Sequence, residues 1–137
     1  MSYHFILDDN DDFYYFDKTI KRSVLRFPQK LGFNDAYKEN VSDDISVFKN
    51  DIFSYEDITM STYSSANNLQ IYISLKGNTA YFDKTVKQYR EDCENYIRID
   101  YINEAKRDYF LKKDAQGSGV GIVIRNNDFL KKTFSTI

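Results

Sequence analysis

One histidine and one cysteine limit what this chain can do with nucleophiles and metals. His4 stands beside Phe5 and Ile6 in a segment that reads as a strand. It could act as a general base, but a zinc site needs further His or Cys ligands, and none lies near it in sequence. A packed or surface histidine is expected. Cys93 would need an imidazole or a helix N-terminus to become a reactive thiolate. Val86, Tyr89, Cys93 and Ile97 instead follow at spacings of three, four and four. That puts Cys93 on the apolar stripe of a helix, in the core.

The acidic run Asp8, Asp9, Asp11 and Asp12, with Asn10 inside it, first suggests calcium. A calcium loop of the EF-hand kind has Gly at its sixth position and Glu at its twelfth. Counted from Asp8, those positions hold Phe13 and Thr19. Consecutive acids in one turn also point in different directions, which does not make a catalytic metal centre. Gly117-x-Gly119-x-Gly121 resembles a phosphate loop only in composition. A dinucleotide loop runs from strand to glycines to helix, whereas the apolar run Val120 to Ile124 follows these glycines as a strand. They read as a bulged strand entry. No cofactor and no metal is expected.

Basic residues with interleaved aromatics could touch nucleic acid: Lys106, Arg107, Tyr109, Phe110, Lys112, Lys113, Lys131 and Lys132. A net charge of −2 and a pI near 5.4 place that second to a solvated mixed surface. The net charge hides an asymmetry. Residues 1–66 carry 12 acids and 7 bases, and residues 67–137 carry 9 and 12. Opposed potentials of this kind steer partners rather than set folds.

These residues must be positioned by something, and the chain has the material. At 137 residues it can bury a core without disulfides or metal. A single domain over 1–137 is expected. Aromatics make up 17% of it, which favours order and supplies contact surface. A lone cysteine excludes an internal disulfide and fits a reducing, cytoplasmic setting. No apolar run approaches the roughly 20 residues of a membrane helix, and no secretory leader is visible.

Tyr3 to Leu7 and Phe13 to Phe16 read as strands joined by the aspartate turn. Leu69 to Leu75 and Thr79 to Phe82 read as strands joined by the tight turn Lys76-Gly77-Asn78. Ser42-Asp43-Asp44 is a good helix start, and Ile45, Phe48, Ile52 and Tyr55 follow on one helical face. Asn126 or Asn127 caps a final helix bearing Phe129, Leu130 and Phe134. The expected fold is α+β, with antiparallel sheet built from two related β-hairpins, about 3–16 and 69–82. Short helices pack against the sheet, including one at the C-terminus.

One further pattern ties the hairpins together. Tyr15-Phe16-Asp17-Lys18-Thr19-Ile20-Lys21 returns as Tyr81-Phe82-Asp83-Lys84-Thr85-Val86-Lys87, an offset of 66 residues. Either the chain holds two pseudo-repeated halves, 1–60 and 68–137, joined by a polar loop 61–68, or both segments converged on one good strand exit. In either case the paired aspartates should form a cap or turn.

Small size, no catalytic set and an acidic, aromatic half point to a binding protein rather than an enzyme. The expectation is a bacterial immunity protein that neutralises a basic toxin such as a nuclease. Asp8, Asp9, Asp11 and Asp12 would steer the encounter, and Tyr14 and Tyr55 would anchor it. A phage-encoded inhibitor of a bacterial defence nuclease would look the same. The alternative is a small ligand-binding domain or enzyme with a pocket of Tyr, Asp and Arg.

Overall fold

The computed structural model of the chain describes residues 2–8, 14–19, 22–25, 27–64, 67–102, 104–125, 128, 130 and 132. Its elements are all strands. They run β1 (Ser2–Asp8), β2 (Tyr14–Asp17), β3 (Arg22–Leu25), β4 (Gly32–Asn34), β5 (Tyr37–Asn40), β6 (Ile45–Ser54) and β7 (Asp57–Ser64). Then follow β8 (Asn68–Lys76), β9 (Thr79–Asp83), β10 (Gln88–Asp92), β11 (Ile97–Ile102), β12 (Ala105–Leu111) and β13 (Gln116–Ile124). They form a five-stranded sheet, β1-β7-β12-β9-β10, and an eight-stranded sheet, β11-β8-β13-β6-β5-β3-β2 with β4 also on β6. Pairing is antiparallel except for β1, which runs parallel to β7 with Tyr3 opposite Ile58. The inner faces of the two sheets meet to close a barrel-like core.

The expected α+β class is therefore corrected to an antiparallel β fold. Ile45, Phe48, Ile52 and Tyr55 do not share a helix face. β6 is a strand in which Ser46, Ile52 and Ser54 are buried while Ile45 is exposed. The Ser42 cap chemistry is real but serves a turn: its hydroxyl accepts the N–H groups of Asp44 and Ile45 at 3.3 and 3.2 Å, between β5 and β6. Short polar side chains support turns and helix starts by the same bonds. The stripe through Cys93 is likewise no helix. Val86, Tyr89 and Ile97 are exposed, and Cys93 is half-buried just past β10. The expected C-terminal helix lies mostly outside the described residues; of its span only Asp128, Leu130 and Lys132 are described, and Leu130 is fully buried.

Both expected hairpins are also corrected. β1 joins the five-stranded sheet and β2 the eight-stranded one, so the two strands are not paired with each other. β8 and β9 are split in the same manner. Gly77, at φ 72°, makes the corner, and a Cβ there would strike the carbonyl of Gln116. Residues 61–64, expected as loop, continue β7.

Each copy of the heptapeptide begins on the first strand of an antiparallel pair. In β2–β3, Asp17 pairs with Arg22 and Tyr15 with Val24. In β9–β10, Asp83 pairs with Gln88 and Tyr81 with Arg90. The register is the same in both, and each hairpin closes one end of its sheet. The pattern stands at the entrance to an antiparallel pair of strands, not at the exit from one.

The core has two parts. Leu25, Phe27, Leu31, Ala36, Ile52 and Ile58 pack together, with Tyr3, Met60 and Leu111 against them. Apart from Tyr81, Ile102 and Leu130, the other buried side chains among the described residues are polar or charged: Ser46, Ser54, Ser74, Asp83, Asp92 and Arg107.

Candidate functional site

Period-two spacing on five strands builds the polar part of the interior. Residues two apart on a strand share a face. Gln70 and Tyr72 on β8, Tyr81 and Asp83 on β9, Arg98 and Asp100 on β11, and Arg107 and Tyr109 on β12 all project inward. Register sets the neighbours: Arg107 lies opposite Asp83 and Tyr109 opposite Tyr81, while Arg98 lies opposite Tyr72 and Asp100 opposite Gln70. Asp92 joins them from the end of β10 and is buried.

The two arginines are held very differently. Arg98 reaches across from the eight-stranded sheet and grips Asp92 with a fork, Nε at 2.9 Å and a terminal nitrogen at 3.2 Å. Its other terminal nitrogen donates to Asp100 and, at 3.3 Å, to Gln70. Two planar donors on one carboxylate fix both orientation and distance. Burial pulls the pKa of this guanidinium down, but Tyr109, Asp92 and Asp100 outweigh it and raise the value.

Arg107 is more buried, at 6% exposed, and less satisfied. Its Nε lies 3.7 Å from Asp83 and has no hydrogen-bond partner. Its terminal nitrogens stand 3.4 Å from the Tyr109 hydroxyl and 3.5 Å from Asp100. An unpaired buried donor costs on the order of 1–3 kcal/mol, so this arrangement is not explained by stability. Nor are the ion pairs themselves, since well-packed apolar residues often replace them without loss.

Aromatic faces complete the lining. Arg107 lies 5.2 Å and Arg98 5.8 Å from the ring centre of Tyr81. Tyr81 and Tyr109 tilt together with centres 5.2 Å apart. Tyr72 stacks on Phe48 at 5.9 Å and 9°. That stack crosses β13 where Gly119 and Gly121 lack side chains. A Cβ at Gly119 would meet the Tyr72 hydroxyl, and one at Gly121 the Phe48 ring. The glycine-rich run is thus cleared ground for aromatics, with a bulge at Ser118 and Gly119. Burial, with Asp92 adding to it, pushes the Tyr72 phenol up to about 12, so at neutral pH it is a hydrogen-bond donor. At the rim, Arg90 is half-exposed, with a guanidinium nitrogen 4.0 Å from Asp100.

The aspartates of this cluster are turned toward guanidiniums. Among the described residues, no group of three or more His, Cys, Asp or Glu side chains is placed to hold a metal ion.

Of the residues expected to bind a partner, none whose side chain is described belongs to this cluster. Asp9, Asp11 and Asp12 lie outside the described residues. Asp8 ends β1 and Tyr14 begins β2, in different sheets, and their side chains are not described. Tyr55 is 45% exposed just past β6, edge-on to Phe53 at 6.0 Å. His4 is exposed and bonds the Ser61 hydroxyl at 2.7 Å. The expected basic surface is divided by strand alternation: Arg107 is buried, while Lys106 is exposed on the opposite face of β12. No helix among the described residues is long and apolar enough to cross a membrane.

Sequence reading missed the interior cluster because it followed the apolar residues of β11. Ile97, Ile99 and Tyr101 alternate there, but outward. The signal was the complementary set: Arg98-x-Asp100, Arg107-x-Tyr109 and Tyr81-x-Asp83, charge and phenol at period two on neighbouring strands.

No family model matches the chain, and no curated protein does. Solved structures share its fold. A cupin superfamily protein from Desulfitobacterium hafniense superposes with a TM-score of 0.52 at 10% identity, over 69% of this chain and 79% of that one. An uncharacterized conserved protein with a double-stranded β-helix domain from Klebsiella pneumoniae gives 0.53 at 10% identity, over 74% and 84%. A protein from Photorhabdus luminescens gives 0.51 at 8% identity, over 80% and 96%. At such identity the likeness is one of fold: the chain is folded as a cupin-like, double-stranded β-helix barrel.

Proposed function

We propose that this chain is a small ligand-binding barrel domain whose site is the interior cluster of Tyr, Asp and Arg. The observation that carries the reading is Arg107, buried with its Nε unpartnered, beside the rings of Tyr81 and Tyr109. A donor left free in a site of this polarity is an anchor for an acceptor brought from outside. Arg90, Arg98 and Arg107 balance Asp83, Asp92 and Asp100, so the cluster favours an uncharged or zwitterionic polar molecule over a net anion. Carboxylates take hydroxyl or ammonium donors, guanidinium gives to an acceptor, and a tyrosine ring offers a flat apolar platform. Binding, not turnover, is the better fit to groups that already neutralise each other.

Calorimetric titration with monosaccharides, hydroxy acids and amino acids tests this. At least one class should bind, and Arg107→Gln should abolish binding while the folded far-ultraviolet spectrum is kept. Binding by no class, or binding unchanged in Arg107→Gln, would remove the reading.

A further inference from the structure

Besides the core residues Leu25 and Ile52, the eight-stranded sheet carries a second set of apolar residues on its outer face. An open antiparallel sheet normally alternates apolar inward and polar outward. Here β11 is reversed, with Arg98 and Asp100 inward and Ile97 and Ile99 outward at 62% and 66% exposure. Its neighbours continue the pattern. Leu75 on β8, Val120 and Ile122 on β13 and Ile45 on β6 are all exposed. No charged side chain interrupts the outward rows of β8, β11 and β13 from Leu69 to Leu75, Ile97 to Tyr101 and Val120 to Ile124.

The same face holds a ridge and a groove. Ile97 and Ile99 form the ridge on β11, which ends the sheet. A groove of about 300 Å³ runs over β5, β6, β13 and β8, lined by Tyr37, Val47, Ile71, Ile73, Val120 and Ile122. Lys49 is its single charged lining group and is engaged by Asp35 at 2.8 Å.

From this we infer that the outer face of the eight-stranded sheet is an isologous dimer interface, occupied by a second copy of this chain. A twofold axis running along β13 would lay β11 of each copy over β5 and β6 of the other. Each ridge then enters the other's groove, and Val120 and Ile122 meet their own counterparts at the axis. A symmetric pair needs a surface complementary to itself, and this face supplies both halves of the fit. Four strands at about 4.8 Å spacing and about 3.4 Å per residue give an apolar patch on the order of 400 Å². A patch of that size is on the scale of the largest patch of a monomer, which is often functional, and with a polar rim of similar area it would reach the roughly 800 Å² per partner of stable complexes. The lack of charge argues against a basic protein, a nucleic acid or an anionic membrane, each of which needs a charged counterpart. It fits a permanent interface, which resembles a core cut in half.

Sedimentation equilibrium of the intact chain tests the assignment. The wild type should be a dimer at micromolar concentration. Ile97→Glu with Ile99→Glu, both on an exposed edge and cheap for the fold, should weaken dimerisation at least about a hundredfold, as loss of central interface anchors does. Ile122→Cys in a Cys93→Ser background should cross-link copy to copy with a short bis-maleimide. A wild type that is monomeric at its highest soluble concentration overturns the inference. So does a dimer that survives the Ile97→Glu, Ile99→Glu change with circular dichroism intact, or a monomer that instead floats with lipid vesicles.

Discussion

Asp17 and Asp83, 66 residues apart, make the same bond in the same kind of turn. The Asp17 carboxylate accepts the N–H of Thr19 at 2.8 Å, and that of Asp83 accepts the N–H of Thr85 at 3.0 Å. The paired aspartates therefore do form the expected turn. Their surroundings separate them. Asp83 is buried and also faces Arg107, whereas Asp17 is only half-buried.

This difference predicts unequal costs for one substitution. Asp17→Ala acts at a half-buried turn, where water can take the place of the carboxylate, and should cost about 1 kcal/mol. Asp83→Ala removes its turn bond and leaves Arg107 buried beside one carboxylate fewer, which should cost about 3–5 kcal/mol. Urea unfolding of the two variants measures both. Equal losses would mean that Arg107 draws nothing from Asp83.

How much of this was legible in the sequence follows from what short-range patterns report. The heptapeptide and the turn at Gly77 were visible because turn chemistry is local: an Asx bond spans two residues, and a positive φ such as that of Gly77 favours Gly. Which sheet a strand joins is not local. β1 finds its partner in β7, more than fifty residues on, and nothing in residues 3–16 distinguishes strands that pair with each other from strands that join different sheets. The helix over 45–55 failed for a different reason. Both faces of β6 carry apolar side chains, so selecting Ile45, Phe48 and Ile52 mixes the faces and imitates a period of 3.6. The interior site failed because burial was assigned by hydropathy, and β11 buries its charges.

The aromatic stack across β13 can be tested by refilling the cleared space. Gly121→Ala places a methyl against the Phe48 ring and should cost about 1–3 kcal/mol through overpacking. Shortening the neighbour should recover part of that, so Gly121→Ala with Phe48→Leu should lose less than the two single changes added together. Thermal unfolding of all three variants supplies the cycle. Simple additivity would show that the methyl and the ring do not meet.

Acid stability should depend on a group outside the interior. Burial pushes the Asp108 pKa up, but the Ser61 hydroxyl and the Lys84 ammonium outweigh it, and the net value falls below the ordinary 3.8. Ser61 donates to this carboxylate at 2.6 Å, and Lys84 lies at 3.2 Å. A depressed carboxylate contributes stability above its unfolded pKa and loses it as pH falls through the folded one. Asp108→Asn should flatten the decline in stability below pH 3.8 and lower stability modestly at neutral pH. Urea midpoints taken across the acid range would refute this if the variant and the wild type declined in parallel.

The alkaline limb should report on Tyr72. Its phenol is raised from 10.0 to about 12, first by burial and then by Asp92. The folded state holds that proton more tightly than the unfolded chain does. Its contribution is therefore fully present below pH 10 and lost as the pH rises toward 12, on the order of 2–3 kcal/mol in all. Tyr72→Phe should remove this slope, at a cost of about 1 kcal/mol at neutral pH for the lost bond to Asn50. Tyr81, raised by burial as well, accounts for what slope remains. Ultraviolet difference absorbance of the phenolate, followed alongside unfolding, distinguishes the two. A wild type whose tyrosines all ionise together near pH 10 before unfolding would mean that the Tyr72 phenol is open to solvent and that the Phe48 stack does not seal this part of the barrel.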